Sequence, residues 1–280
     1  MTTQLEKARA FRALHAGTQT FVMPNPWDAG SARILQGLGF AALAKTSAGF
    51  ARFRGPEDGD PGEDALLAHA AELVAATDVP VSADLEDGFG PRPQDAAQTI
   101  TRAIEVGLAG GSIEDHNGRS GEPLYPIELA AERVRAAAEA VRASGVPFVL
   151  TARAENFFRS APDLADTIRR LQAYQEAGAD VLFAPALRSR EDVVSVLREI
   201  DRPLSVMAGF GGLAELRVDD YQALGVQRLS VGNALSTVAY AALLQSAREL
   251  AEHGDFRFVQ EAAAHGRELR NVLSAVKVRR

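Results

Sequence analysis

The residues best able to do chemistry stand in three short runs: Asp84-Leu85-Glu86-Asp87, Ile113-Glu114-Asp115 and Thr151-Ala152-Arg153-Ala154-Glu155. Each closes a brief β-rich stretch, Val79-Pro80-Val81-Ser82-Ala83, Gly111-Ser112-Ile113 and Phe148-Val149-Leu150-Thr151 in turn. Alternation along an extended strand puts Asp84 and Glu86 on one side, and Glu114 at the end of a neighbouring strand falls within a few ångströms of them. Three converging carboxylates repel one another, and a cation relieves that repulsion. An all-oxygen site with few carboxylates and room for water suits Mg²⁺, or alternatively Mn²⁺. A single such acid belongs on a solvated loop. Acids on adjacent strand ends, flanked by Arg153 on the next, favour a functional grouping instead. The guanidinium of Arg153 stays charged and can hold a substrate carboxylate or a developing oxyanion, or can pair with Glu155 or Glu114.

Around this centre lie weaker signals. Lys45-Thr46-Ser47-Ala48-Gly49 is a run of small residues whose backbone N–H groups and hydroxyls could receive a carboxylate, or which simply pack closely. His116 opens a loop that runs to Tyr125. Either residue could pass a proton to a product, although a loop histidine is commonly just solvated. Phe210-Gly211-Gly212 is a phosphate-loop candidate or a plain turn. The chain contains no cysteine, which excludes disulfides, thiolate metal sites and a cysteine nucleophile.

Positioning these groups requires a regular framework. Helical stretches and short β-rich runs alternate along the chain: Phe21-Val22-Met23, Ala41-Ala42-Leu43-Ala44, the three runs above, then Val181-Leu182-Phe183, Leu204-Ser205-Val206-Met207 and Arg228-Leu229-Ser230-Val231. Eight strands separated by helices imply parallel pairing, and runs without strict alternation fit strands covered on both faces. Such units close most economically into a (β/α)8 TIM-type barrel, which takes roughly 250 residues, so residues 1–280 read as a single domain. A doubly wound open sheet is the rival, weakened by the absence of a Gly-x-Gly-x-x-Gly turn after the first strand. Apolar residues from Asp255 to Val278 recur at helical spacing and predict a further amphipathic helix.

The formal net charge is −7 with Lys and Arg scattered, so no basic stripe is available for nucleic acid. No stretch approaches the ~18 apolar residues of a membrane span, and Met1 to His15 lack a signal-peptide core. A cytoplasmic protein without nucleic-acid or membrane partners is expected.

Together these motifs resemble the isocitrate lyase and phosphoenolpyruvate mutase superfamily, from about Phe11 to about Leu243. Val22-Met23-Pro24-Asn25-Pro26-Trp27-Asp28-Ala29-Gly30-Ser31-Ala32 is similar to that family's first strand and helix start. Thr46-Ser47-Ala48-Gly49 with Gly55 and Asp58 looks like its second-strand loop. Asp84 to Gly90, Ile113-Glu114-Asp115 and Arg153 with Glu155 match its remaining strand-end signatures. The resemblance implies that Asp84, Glu86 and Glu114 bind Mg²⁺ directly or through waters, and that Thr46, Ser47 and Ala48 hold the carboxylate of a small 2-oxo acid. By the same resemblance Arg153 stabilises an enolate oxygen and, with Glu155, binds the substrate, and Asp58 borders the substrate or a gating loop; His116 is a candidate acid from its place in the loop after the fourth strand.

Departures from the family narrow the chemistry. The lyases acting on isocitrate carry a cysteine in the loop after the fourth strand, where this chain has His116-Asn117-Gly118-Arg119-Ser120-Gly121. Their later polar motifs are replaced here by Phe183-Ala184-Pro185 and Val206-Met207-Ala208-Gly209, which predicts a smaller, less polar pocket. The expected activity is cleavage of a C–C bond in a small 2-oxo or 2-hydroxy acid through a metal-stabilised enolate. P–C chemistry of the phosphoenolpyruvate mutase or phosphonopyruvate hydrolase type is the alternative, and a non-catalytic acid-binding barrel the third reading. The resemblance also implies a homodimer or homotetramer in which a C-terminal helix, within about 244–280, is exchanged between subunits.

Overall fold

A computed structural model describes residues 2–54, 62–117, 124–159 and 162–275. In chain order its elements are α1 (Gln4–Ala16), β1 (Phe21–Val22), α2 (Ala29–Gly37), β2 (Leu43–Lys45), α3 (Ser47–Arg54), α4 (Gly62–Ala76), β3 (Val81–Asp84), α5 (Pro93–Glu105), β4 (Gly110–Glu114) and α6 (Ile127–Ser144). There follow β5 (Val149–Arg153), α7 (Leu164–Ala177), β6 (Val181–Phe183), α8 (Arg190–Glu199), β7 (Leu204–Met207), α9 (Val218–Leu224), β8 (Arg228–Ser230), α10 (Ala234–His253) and α11 (Arg257–Ala275).

Helix ends follow local chemistry. The Asp28 carboxylate accepts the Ser31 N–H at 2.6 Å to start α2, and Asp163 and Ser189 cap α7 and α8 in the same way. All eight strands pair in parallel, and the order runs β2-β3-β4-β5-β6-β7-β8-β1. Pairing of the first strand with the last, Phe21 with Arg228 and Val22 with Leu229, curls the sheet round and rules out the open doubly wound arrangement. Across the seam between β1 and β2 the Ala44 N–H donates to Pro24 O at 3.0 Å, and the Asn25 side chain donates to Ala44 O. The expected (β/α)8 barrel is the observed fold.

Two apolar layers hold it. The larger lies between the sheet and the surrounding helices and includes Leu73, Ile100, Val134, Leu171 and Val196. The smaller plugs the N-terminal end of the barrel, where Ala8 and Phe11 of α1 pack on Ala42, Val149 and Val181 at strand starts. Gly110 is required there, because a Cβ at this position would stand 2.5 Å from the Phe11 ring and 2.9 Å from Val149 O.

Above this plug the barrel interior turns polar. Ser82, Ser112, Ser205, Arg228 and Ser230 face a cavity of about 480 Å³ that extends to the C-terminal ends of the strands. The predicted C-terminal helix is present as α11, which lies on α2 with Val272 at the position a Gly37 side chain would fill. Val238, Leu243 and Leu244 of α10 are exposed, as are Val259 and Leu269 of α11 and Phe256 just before it.

Candidate active site

The cavity mouth is built where β3, β4 and β5 end. Register places Glu114 directly beside Arg153 on the neighbouring strand. The Nη1 atom of Arg153 stands 3.3 Å from Asp84 Oδ2 and 3.5 Å from Glu114 Oε2, so one guanidinium nitrogen bridges the two acids. Its Nε donates to Glu155 Oε1. Burial opposes the charge on Arg153, but Glu114, Glu155 and Asp84 outweigh it and hold the guanidinium above its ordinary range. Burial pushes Glu114 up to about 7 against the pull of Arg153, with repulsion from Glu155 and Asp84 adding to the rise.

Asp84 is the last residue of its strand, and alternation does not continue past it. The chain turns at Glu86, which adopts a φ of 52°, while the Asp84 Oδ1 atom accepts the Glu86 N–H at 3.1 Å. The expectation that Asp84 and Glu86 share a strand face is therefore corrected. They line the same cavity because the backbone folds back on the Asp84 carboxylate. The turn remains tied to the sheet, since the Glu114 N–H donates to Glu86 O at 2.8 Å.

Thr46, Ser47 and Ala48 all line the cavity, Thr46 just before α3 and Ser47 and Ala48 in its first turn. The Thr46 hydroxyl accepts the Gly49 N–H, and the Ser47 hydroxyl donates to Asp84 Oδ2 at 3.0 Å. His116 also lines the cavity, its Nδ1 3.6 Å from Glu114 Oε1. Tyr125 does not: its buried hydroxyl donates to Asp87 Oδ2 at 2.9 Å, which corrects its candidacy as a proton donor. Glu155 is fully buried behind the cavity wall and reaches it only through Arg153 and Arg159, which corrects its expected contact with substrate. Asp58, Gly55 and Arg119 lie outside the described residues. The Phe210-Gly211-Gly212 segment is a turn, and the Gly212 N–H is taken by Arg188 O at 3.0 Å.

A buried polar cluster fixes the wall from behind. Asp115 accepts the Glu155 N–H at 2.9 Å, the Tyr174 hydroxyl at 2.6 Å and Arg170 Nη1 at 3.0 Å. The same Arg170 nitrogen donates to Tyr125 O, and its Nε donates to Asp166. Burial raises the Asp115 carboxyl despite these donors.

Sequence reasoning missed Arg159 and Arg228. Arg159 lines the cavity, 3.8 Å from Glu114 Oε1 and 3.2 Å from Glu155 Oε2, and its spacing of four from Glu155 was the available signal. Arg228 was read only as the polar start of a strand.

A parallel barrel with acids gathered round a buried guanidinium at the C-terminal ends of its strands has the layout of the barrel enzymes, whose active sites sit at that face. Residues 11–251 match the family described as phosphoenolpyruvate phosphomutase, and the chain belongs to that family, within the isocitrate lyase and phosphoenolpyruvate mutase superfamily of enzymes. A structure from Burkholderia cenocepacia J2315, assigned only provisionally as a lyase/mutase, is 48% identical and superposes with a TM-score of 0.92 over 97% of each chain. The 2-methylisocitrate lyase of Bacillus subtilis is 28% identical, over 80% of this chain and 75% of its own length. The structure of 2,3-dimethylmalate lyase is 27% identical, with a TM-score of 0.82 over 91% of this chain and 90% of that one.

Proposed function

We propose that the protein is a Mg²⁺-dependent lyase that cleaves a C–C bond in a small 2-oxo or 2-hydroxy carboxylic acid, with negative charge developing as an enolate. The observation that carries this reading is the single Arg153 nitrogen held between Asp84 and Glu114 at the wall of the cavity. Negative charge that collects on a substrate oxygen there meets a largely buried guanidinium fixed by three carboxylates, a donor already oriented before charge develops.

The donor set suits a hard divalent cation. Among the described residues no three His, Cys, Asp or Glu side chains form a ready coordination shell. Asp84, Glu86 and Glu114 nevertheless face one cavity, and Mg²⁺ commonly takes one or two carboxylates and keeps several waters. These three residues would hold it, and when bound it would polarise the 2-oxo group as a Lewis acid. Thr46, Ser47 and Ala48, at the start of α3, are placed to receive a substrate carboxylate. Arg153 binds the oxygen that gains charge, Glu155 keeps its guanidinium aimed, and His116 stands where a proton can be delivered at the cavity edge. Asp58 belongs to this reading as a residue bordering the substrate.

The reading extends to the whole molecule: one barrel domain over residues 1–280, cytoplasmic, assembled as a homodimer or homotetramer through residues 244–280. The exposed apolar side chains of α10 and α11 support such an interface. No helix among the described residues is long and apolar enough to cross a membrane.

Turnover of oxaloacetate and substituted malates, with Mg²⁺ and then with EDTA, tests the proposal. Metal-dependent release of pyruvate or another 2-oxo acid is expected, and Asp84→Ala should abolish it while leaving the circular dichroism spectrum intact. Phosphonopyruvate turnover would move the assignment to P–C chemistry, and an unchanged rate in Asp84→Ala would remove the proposed centre. A monomer in light scattering would refute the assembly.

A further inference from the structure

Deep in the barrel, below the acids of the mouth, lies a positive charge that the proposed chemistry does not use. Arg228 is 3% exposed, and its hydrogen-bond partners among the described residues are all neutral. Its Nε donates to Ser205 Oγ at 2.9 Å, and its Nη1 donates to Thr151 Oγ1 at 3.1 Å and to His15 Nε2 at 3.3 Å. No carboxylate among the described residues lies within ion-pair distance of it, and its Nη2 makes no hydrogen bond among them. Arg228 lines the cavity together with the hydroxyls of Ser82, Ser112, Ser205 and Ser230. A buried charge without a counter-ion is costly, and proteins ordinarily pair it. The acids that would be natural partners, Asp84 and Glu114, are already engaged by Arg153.

The surroundings complete the complement of an anion. Ser205 accepts from the guanidinium, which leaves its own O–H to donate into the cavity. Ser82 and Ser112 present two more hydroxyls from β3 and β4, and Ser230 one from β8. A guanidinium edge facing several hydroxyl donors matches a carboxylate or a halide. The guanidinium charge repels a cation, and a phosphate dianion would face Asp84 and Glu114 across the same cavity.

We propose that the cavity floor, bounded by Arg228, Ser82, Ser112, Ser205 and Ser230, is a binding site for a small monovalent anionic group, either a free ion or a carboxylate carried by the substrate. The site is distinct from the carboxylate-receiving residues at the start of α3, and it stands or falls independently of the lyase reading because its test needs no turnover.

Thermal unfolding of the full chain is followed as sodium chloride or sodium formate is titrated, with sodium gluconate, a much bulkier anion, at equal ionic strength as the control for general salt effects. A saturable rise in Tm with chloride and formate beyond the gluconate control is expected. Arg228→Met should abolish the rise, and Ser205→Ala should weaken half-saturation by about tenfold, the scale of one hydrogen bond to a charged group. Equal rises with gluconate, or a response that survives in Arg228→Met, would overturn the proposal. If Arg228→Met does not fold, Ser205→Ala and Ser112→Ala decide, and an undiminished response in both overturns it. Calorimetric binding of oxaloacetate separates the two sources. Affinity that falls as chloride is added assigns the floor to a substrate carboxylate, and affinity indifferent to chloride assigns it to a free ion, provided the Tm response is present.

Discussion

Acid should loosen the barrel through its floor, and His15 is the residue that makes this measurable. Its ring is buried edge-on against Phe11 and Phe21, and its Nδ1 lies 2.8 Å from Phe11 O. Because Nε2 faces the Arg228 guanidinium, which can only donate, the ring is neutral with its proton on Nδ1. Burial, with the charges of Arg228 and Arg12 adding to it, lowers the imidazole from 6.5 to about 3. The folded state therefore refuses a proton that the unfolded chain accepts. The stabilisation is complete above about pH 6.5 and is lost progressively as pH falls toward the folded-state value. Between pH 7.5 and pH 5.0 the loss is about 2 kcal/mol, or about 30-fold in the folding equilibrium. Other carboxylates also respond to acid, so the quantity to measure is the difference between wild type and His15→Gln, whose amide keeps a neutral partner for Arg228. Urea unfolding at the two pH values should find the wild-type advantage smaller by about 2 kcal/mol at pH 5.0. A difference that does not change with pH would refute the claim that His15 is held neutral.

Other substitutions test the mouth and its support. Arg153→Lys keeps the charge but loses the fork that reaches Asp84, Glu114 and Glu155 together, and kcat should fall by about 10²–10³ with little change in KM. Asp115→Ala strips one of two carboxylate partners from Arg170, which keeps Asp166, and leaves the Tyr174 hydroxyl and Glu155 N–H unpaired in the interior. Its expected cost is about 3–5 kcal/mol by denaturant unfolding. Gly110→Ala forces a methyl group into the Phe11 ring and should destabilise by about 1–3 kcal/mol, an effect that Phe11→Leu in the same chain should partly relieve.

The barrel was legible in the sequence because burial on both faces leaves short β-rich runs, and helices between them force parallel pairing. The acids of the mouth were legible for a related reason, since Asp84, Glu114 and Arg153 each terminate such a run. Glu86 was misread because strand periodicity was carried past the point where the backbone turns, and a positive φ at a glutamate leaves no compositional mark. Glu155 could not be distinguished from a residue facing substrate, because its burial depends on Arg153 and Arg159 folding over it. The polar barrel interior was hidden for a different reason. Serine fits both strand and turn, and Ser82, Ser112 and Ser205 acquire meaning only when closure brings them from separate strands to the cavity that Arg228 also lines.

The adjacent acids Glu114, the last residue of β4, and Asp115, the first beyond it, face opposite ways. One looks into the mouth, and the other is gripped by Arg170 and Tyr174 on α7, with its second oxygen fastening the backbone of Glu155. The aim of the Arg153 guanidinium is thus set partly by a helix on the outside of the barrel. Redesign of the mouth that leaves Asp115, Tyr125 and Glu155 in place can alter what the cavity admits without disturbing this linkage. Repacking the inner face of α7 cannot, because a displacement there is passed through two strands to the group that faces the substrate.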